Sequence, residues 1–263
     1  LEASVAGGIP IIRSLHGGLS ANSIQRICGI LNGTCNYILT QMSAHGQAYG
    51  DALAKAQELG YAEADPAFDV GGQDTAHKLA ILSSLAFGFE VDAEKIYCEG
   101  IDGLDADDIS YARELGYAIK LLGIAERMGD SVSLRVHPTM VPATSVLGNV
   151  NDAFNAVAVD GDAVGPTLFY GQGAGAAPTA SAVVSDLIDA ARVVATGVKA
   201  EIPPCWDPMR AVTAPVAPMD SCESRYYLRL QVEDRPGVLA EIGAILGRNE
   251  ISMSSVIQKD PHC

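Results

Sequence analysis

Basic residues are scarce in this chain of 263 residues: 17 Lys and Arg stand against 32 Asp and Glu, a net charge of −15. So acidic a surface lacks the clustered cations that meet a phosphate backbone, which argues against nucleic acid as a partner. Long apolar runs are absent as well. The longest, Leu79 to Phe89, is broken by two serines and a glycine. It falls short of the roughly 20 residues that span a bilayer, so no membrane helix is expected. Charged residues make up only 19% against 48% hydrophobic, which excludes a disordered chain. The length suffices for a sizeable core and one or two domains. No basic segment precedes an apolar one, so no secretory leader is expected. The chain opens on Leu1 rather than Met, which suggests that its start has been cut away. The six cysteines (Cys28, Cys35, Cys98, Cys205, Cys222, Cys263) show no C-x-x-C spacing. They read as reduced, mostly buried thiols of a cytoplasmic protein. The histidines are scattered, so no zinc site is expected. Near the start of the chain there is no strand followed by G-x-G-x-x-G, the turn that cradles a dinucleotide.

What is present alternates between two periodicities. Helices are expected over Gly50 to Leu59, stopped by Gly60, and over about Gln73 to Phe87, Asp107 to Leu122 and Pro178 to Val194. The last of these carries Pro in its first turn. Strands are expected over Ser23 to Leu31, Ser131 to Val136, Phe154 to Val159 and Thr167 to Tyr170. Mixed elements with few regular βαβ repeats indicate an α+β fold, a mixed sheet with helices on one face. Pro203, Pro204, Pro208, Pro215 and Pro218 cannot continue a helix or a central strand, so residues 200–224 read as a linker or extended arm. Beyond it, a strand at Tyr226 to Val232, a D-R-P-G turn, a helix at Val238 to Leu246 and a strand at Ile251 to Ile257 make a βαβ unit. Such a unit needs partners to cover its sheet, and reads as incomplete.

The densest polar cluster lies between Gly60 and Lys78. Asp74 and Lys78 stand four residues apart and share a helix face, which continues as the apolar Ile81, Leu82 and Leu85. Lys78 is therefore expected to emerge at the edge of a core, where a lysine serves as proton donor and acceptor. Glu63 and Asp69 lie on the loop ahead of it, where carboxylates receive an ammonium group or orient the lysine. The same spacing also suits an ordinary surface ion pair, with Asp69 a helix cap. Cys35 and His77 read as packing or surface residues rather than a nucleophile and its base, because no third group orients them.

The run A-x-x-x-G-Y-A-x-x-D-P-x-x-D-V-x-G-x-D-x-x-x-K, from Ala56 to Lys78, resembles the signature of the homoserine dehydrogenases. Glu2 to Pro10 (EASVAGGIP), Gly29 to Leu39 (GILNGTCNYIL), Ile119 to Ala125 (IKLLGIA) and Tyr170 to Gly175 (YGQGAG) resemble the same family. The resemblance runs almost unbroken over residues 1–199, the expected substrate and dimerisation domain. It implies reversible oxidation of L-homoserine to L-aspartate 4-semialdehyde with NAD or NADP, in the biosynthesis of threonine, methionine and isoleucine. By matching positions, Lys78 is the proton donor and acceptor at the substrate oxygen, and Asp74 orients it. Glu63 binds the substrate amino group, with Tyr61 and Asp69 beside it. The turn of Asn32, Gly33 and Thr34 lies at the substrate and the nicotinamide, and Gly173 and Gly175 touch the cofactor. Oxygens of Glu2, Val5, Gly7 and Ile9 hold a sodium ion. The helix over residues 176–198 is expected to pack on a nucleotide-binding domain that precedes this chain, so the polypeptide alone is expected to be inactive. A homodimer is the family's expectation.

Leu228 to Leu239, with its D-R-P-G-V-L turn, resembles the first strand, turn and helix of an ACT domain. Residues 225–263 would then be part of an amino-acid-binding module, with threonine the family's effector. A different class stays open: a non-catalytic, amino-acid-sensing protein built on the same fold. The retained Glu63, Asp69, Asp74 and Lys78 favour the enzyme.

Overall fold

The computed structural model describes residues 1–198 and 215–259. They divide into two units, Leu1–Glu223 and Ser224–Cys263. The expected linker falls partly outside the described residues, which lack 199–214.

The first unit is built on one mixed sheet of seven strands. Its centre is β1 (Ile24–Ile30), flanked by β3 (Tyr117–Met128) and β5 (Phe154–Gly161), both antiparallel to it. A tight hairpin joins β3 to β4 (Ser131–Pro142), and another joins β5 to β6 (Gly165–Gln172). Two short strands, β2 (Tyr97–Cys98) and β7 (Val216–Ala217), pair in parallel with successive stretches of the outer edge of β4. The C-terminal part of the expected linker thus adds an edge strand to the sheet.

Among the described residues, the helices of this unit are α1 (Ile11–Arg13), α2 (Gly33–His45), α3 (Tyr49–Glu58), α4 (Ala67–Val70), α5 (Gln73–Phe87), α6 (Ala106–Glu114) and α7 (Ala176–Thr196). The expected helix over Asp107 to Leu122 is corrected. The helix ends at Glu114, Gly116 turns the chain with φ +83°, and β3 begins at Tyr117. From Ile119 to Ala125 every residue of β3 is buried. A strand covered on both faces reads as a continuous apolar run rather than an alternation, and periodicity does not separate it from a buried helix. Helix α2 was absent from the periodic pattern for a related reason. Eight of its residues, from Thr34 through Thr40 and Met42, are buried, so no polar stripe marks its outer face.

The main core lies between the sheet and α2 and α5, and includes Ile27, Leu31, Ile38, Leu39, Leu79, Leu82, Ala125 and Val157. A close approach sets α5 on the sheet. A Cβ on Gly123 would stand 3.2 Å from both Leu31 Cδ1 and Thr75 Cγ2, and 3.5 Å from Leu79 Cδ1. A side chain there would push the helix outward. A smaller cluster of Cys28, Ile30, Leu122, Ile124, Val141, Val150 and Ala156 packs separately.

In the second unit α8 (Val238–Arg248) starts at Gly237, whose φ is +93°. Arg235 donates to both carboxylate oxygens of Glu241, at 3.0 and 2.8 Å. The expected strands at Tyr226 to Val232 and Ile251 to Ile257 are corrected: neither forms a ladder. Alternating apolar residues make a strand only where a neighbour takes up the backbone N–H and C=O groups.

Candidate active site

The site forms where β1 and β6 end and β5 begins. The register places Ile30 opposite Ala156 and Asn155 opposite Gly171, so these ends are neighbours. The segment between α3 and α5 lies over them. Gly60, with φ +75°, follows the end of α3, and Gly72, with φ +88°, starts α5. Asp69 therefore sits on the single turn of α4, and Asp74 and Lys78 on the first turns of α5.

Lys78 Nζ donates to Asp74 Oδ2 at 2.7 Å and to the Leu31 carbonyl at 3.0 Å. An ammonium group carries three donors, so one remains for a substrate oxygen. The side chains of Lys78 and Asp74 are 23% and 20% exposed, which distinguishes them from an ordinary surface pair. The expected lysine at the core edge is what the structure shows.

Asn32, which the sequence placed only in a turn at the substrate, organises the acids. Its Nδ2 donates to Asp69 Oδ1 at 2.9 Å and to Asp74 Oδ2 at 2.8 Å. Its Oδ1 accepts the Cys35 N–H at 2.8 Å, capping α2. The available signal was the N-cap preference for Asn, legible only once α2 is recognised as a helix. Burial raises the pKa of Asp69. Asp74 and Glu63 push it the same way, while the Asn32 hydrogen bond and the Lys78 charge oppose the rise.

The remaining expected residues fall into three groups. Glu63 is exposed on the loop ahead of α4, and its charge is felt at Asp69. Tyr61 is 47% exposed, with its ring centroid 4.9 Å from that of Tyr37. Thr34 is buried and donates its hydroxyl to the Tyr61 carbonyl at 2.6 Å, tying this loop to α2. Gly33 opens α2 so close to β5 that a Cβ would stand 3.0 Å from the Ala153 carbonyl oxygen. Cys35 donates its thiol to the Asp69 carbonyl, and burial pushes its pKa well up. It is a clamp on the loop rather than a nucleophile. His77 is exposed and packs edge-on against Phe68.

Gly173 and Gly175 lie between β6 and α7, as the sequence suggested. A Cβ on Gly173 would overlap the Asn155 amide at 2.1 to 2.3 Å, and one on Gly7 would lie 2.3 Å from the Gly173 carbonyl oxygen. Close packing among the 5–9 loop, the 173–175 loop and β5 thus requires glycine at both positions. Asn155 is buried with no hydrogen-bond partner for its Oδ1. In the opening segment, both Glu2 carboxylate oxygens accept backbone N–H groups, of Ile12 and Arg13, at 2.9 Å. The Ile9 carbonyl accepts from Ile11 at 2.8 Å. Ala6 and Gly7 are successive left-handed residues, with φ +56° and +50°. Lys120, assigned no role from the sequence, is buried beneath α2. It donates to Asn36 Oδ1 and to the Val150 carbonyl.

The homoserine dehydrogenase family model matches residues 10–188, and the ACT domain model matches residues 226–263. The homoserine dehydrogenase of Neisseria gonorrhoeae is 51% identical over 259 residues, covering 98% of this chain and 60% of that protein. That of Pseudomonas aeruginosa is 50% identical over 260 residues with the same coverage. The crystal structure of a homoserine dehydrogenase from Thiobacillus denitrificans superposes with a TM-score of 0.92 at 52% identity, over 98% of this chain and 60% of that one. The chain spans about 60% of the length of these relatives.

Proposed function

The chain belongs to the homoserine dehydrogenase family, and from that premise we propose that the protein interconverts L-homoserine and L-aspartate 4-semialdehyde with NAD or NADP. The observation that carries the reading is the Lys78 ammonium. Two of its donors are engaged by Asp74 and Leu31, which leaves a third for a substrate oxygen.

The dinucleotide supplies hydride transfer. At its reacting end the chain offers Gly33, pressed on the Ala153 backbone, and Gly173, pressed on the Asn155 amide, whose Oδ1 is unpartnered. An acceptor without a partner suits the N–H of a carboxamide. Gly175 continues the same loop. No strand followed by G-x-G-x-x-G stands among the described residues; in this reading the surface takes the nicotinamide end.

As the carbonyl is reduced, negative charge grows on its oxygen. Lys78 stabilises that charge and gives up a proton, and takes one back in the reverse direction. Asp74 keeps the ammonium aimed. Glu63 receives the substrate amino group, with Asp69 and Tyr61 beside it. Thr34 holds the Tyr61 loop in place. The rival reading, an amino-acid-sensing protein without catalysis, leaves this lysine geometry without a purpose.

A monovalent cation belongs to the same proposal. Glu2 caps α1 with both carboxylate oxygens, and the Ile9 carbonyl is engaged by Ile11. The backbone carbonyls of Val5 and Gly7 are then the better donors for a hard ion such as sodium. Threonine as effector of the ACT unit, a homodimer, and a cytoplasmic location complete the proposal. The last is supported by Cys28, Cys35, Cys98 and Cys222, all free thiols.

The test is Lys78→Ala in the full-length protein. We expect kcat to fall by about 100-fold or more, with the thermal melt unchanged. A folded variant that keeps wild-type kcat removes Lys78 from its role.

A further inference from the structure

We propose that Asn32 is a positioning residue whose one amide group, donating to both Asp69 and Asp74, holds the two acids side by side with Lys78. The inference rests on the reading of Lys78 given above and extends it to a residue with no part in the proton transfer itself.

Two carboxylates this close repel, and each needs donors to stay ionised. Asp74 Oδ2 receives two, from Asn32 and Lys78. Asp69 Oδ1 receives the other amide hydrogen of Asn32. An NH2 group has two hydrogens and no charge, so Asn32 can serve two anions at once without competing with the ammonium. A lysine or arginine here would neutralise Asp74 and loosen its hold on Lys78.

Position adds to chemistry. Asn32 is 5% exposed. Its Oδ1 is fixed by the Cys35 N–H, so its NH2 can only point at the acids. The preceding carbonyl, that of Leu31, takes Lys78. Residues 31 and 32 therefore hold all three charged groups from one stretch of backbone. The groups facing the acids are Lys78, Glu63 and the neutral Cys35 thiol, besides each other. None of these replaces a lost amide donor at Asp69 Oδ1.

Two variants separate the amide from the helix cap. Asn32→Ser and Asn32→Asp both keep an oxygen that caps α2; serine is left with one short O–H for two acids and aspartate with no donor at all. Asn32→Asp adds a third negative charge as well. In the full-length protein we expect kcat to drop about tenfold in Asn32→Ser and further in Asn32→Asp, as hydrogen bonds to charged groups are lost. The acid limb of the kcat–pH profile should move to higher pH, more in Asn32→Asp, while KM for the dinucleotide stays near the wild-type value. A 13C-NMR titration of the Asp69 carboxyl should move the same way, and it needs no turnover. Wild-type kcat and pH profile in folded variants overturn the proposal. So does a fall in kcat with the acid limb and the Asp69 titration unmoved, which marks a merely structural role. Loss of the cooperative melt in Asn32→Ser overturns it too, since the amide would then serve the fold. If Lys78→Ala keeps its activity while the Asp69 titration moves, the catalytic reading fails and the role of Asn32 stands.

Discussion

Gly123 offers the sharpest link between the sheet and the chemistry. It faces Gly29 across β1 and β3. On Gly29 a Cβ would lie 2.9 Å from Leu31 Cδ2. The two glycines leave a shallow trough that the Leu31 side chain fills, and Thr75 and Leu79 of α5 rest on it. Asp74 and Lys78 are borne on the same helix, and Leu31 supplies the carbonyl that Lys78 reaches. An alanine at 123 would place its Cβ 3.2 Å from Leu31 and Thr75, so its neighbours must yield by a few tenths of an ångström. Replacing a strand glycine also recovers about 0.5–1 kcal/mol of chain entropy, so Gly123→Ala should be close to neutral. Valine adds two methyl groups at a site with no spare room, and overpacking of that kind costs about 1–3 kcal/mol. For a unit of this size that is a fall in Tm of about 2–12 °C. Lifting α5 also moves Lys78 relative to Leu31, so kcat in the full-length protein should fall more steeply than stability. Thermal melts by circular dichroism and steady-state kinetics on both variants provide the assay. If Gly123→Val melts within about 1 °C of wild type and keeps its kcat, the trough does not set the height of α5.

Two further outcomes follow from the titrating groups. The pKa of Asp69 is raised, chiefly by burial, so the native state binds a proton more readily than the unfolded chain, and stability falls as pH rises through that window. Asp69→Asn should therefore melt above the wild type at pH 7, converge with it below about pH 4, and lose activity; a lower melt at pH 7 would contradict this. Lys120 is buried, and desolvation lowers its pKa from 10.5 to about 8. The unfolded chain then binds more protons between those values, so stability relative to Lys120→Met should rise by about 3 kcal/mol from pH 8 to 10.5. Urea melts of the pair at several pH values check this, and a pH-independent difference refutes it.

The sequence carried the chemistry further than the architecture. The i, i+4 spacing of Asp74 and Lys78, the apolar continuation of their helix and the glycine stop at residue 60 are local facts, and local rules read them. The span of α5 came out residue for residue because its caps and periodicity agree. Helix α2 and strand β3 could not be read this way. Both are buried on nearly every side, and a segment without a solvent face has no periodicity to show. The segments at 226–232 and 251–257 failed in the opposite sense: their alternation is plain, but a ladder requires a partner that alternation does not supply.

The residue types of the site were therefore fixed by the chain, and its geometry by the sheet. Nothing near Asn32 in sequence announces that Asp69 and Asp74 will come to its amide, 37 and 42 positions away. That meeting depends on the trough at Gly29 and Gly123, which sets how close α5 approaches β1. It depends equally on α2, whose cap turns the Asn32 amide toward the acids. Hydrogen bonds between distant residues act over about 3 Å, a distance that only the packed tertiary structure can set.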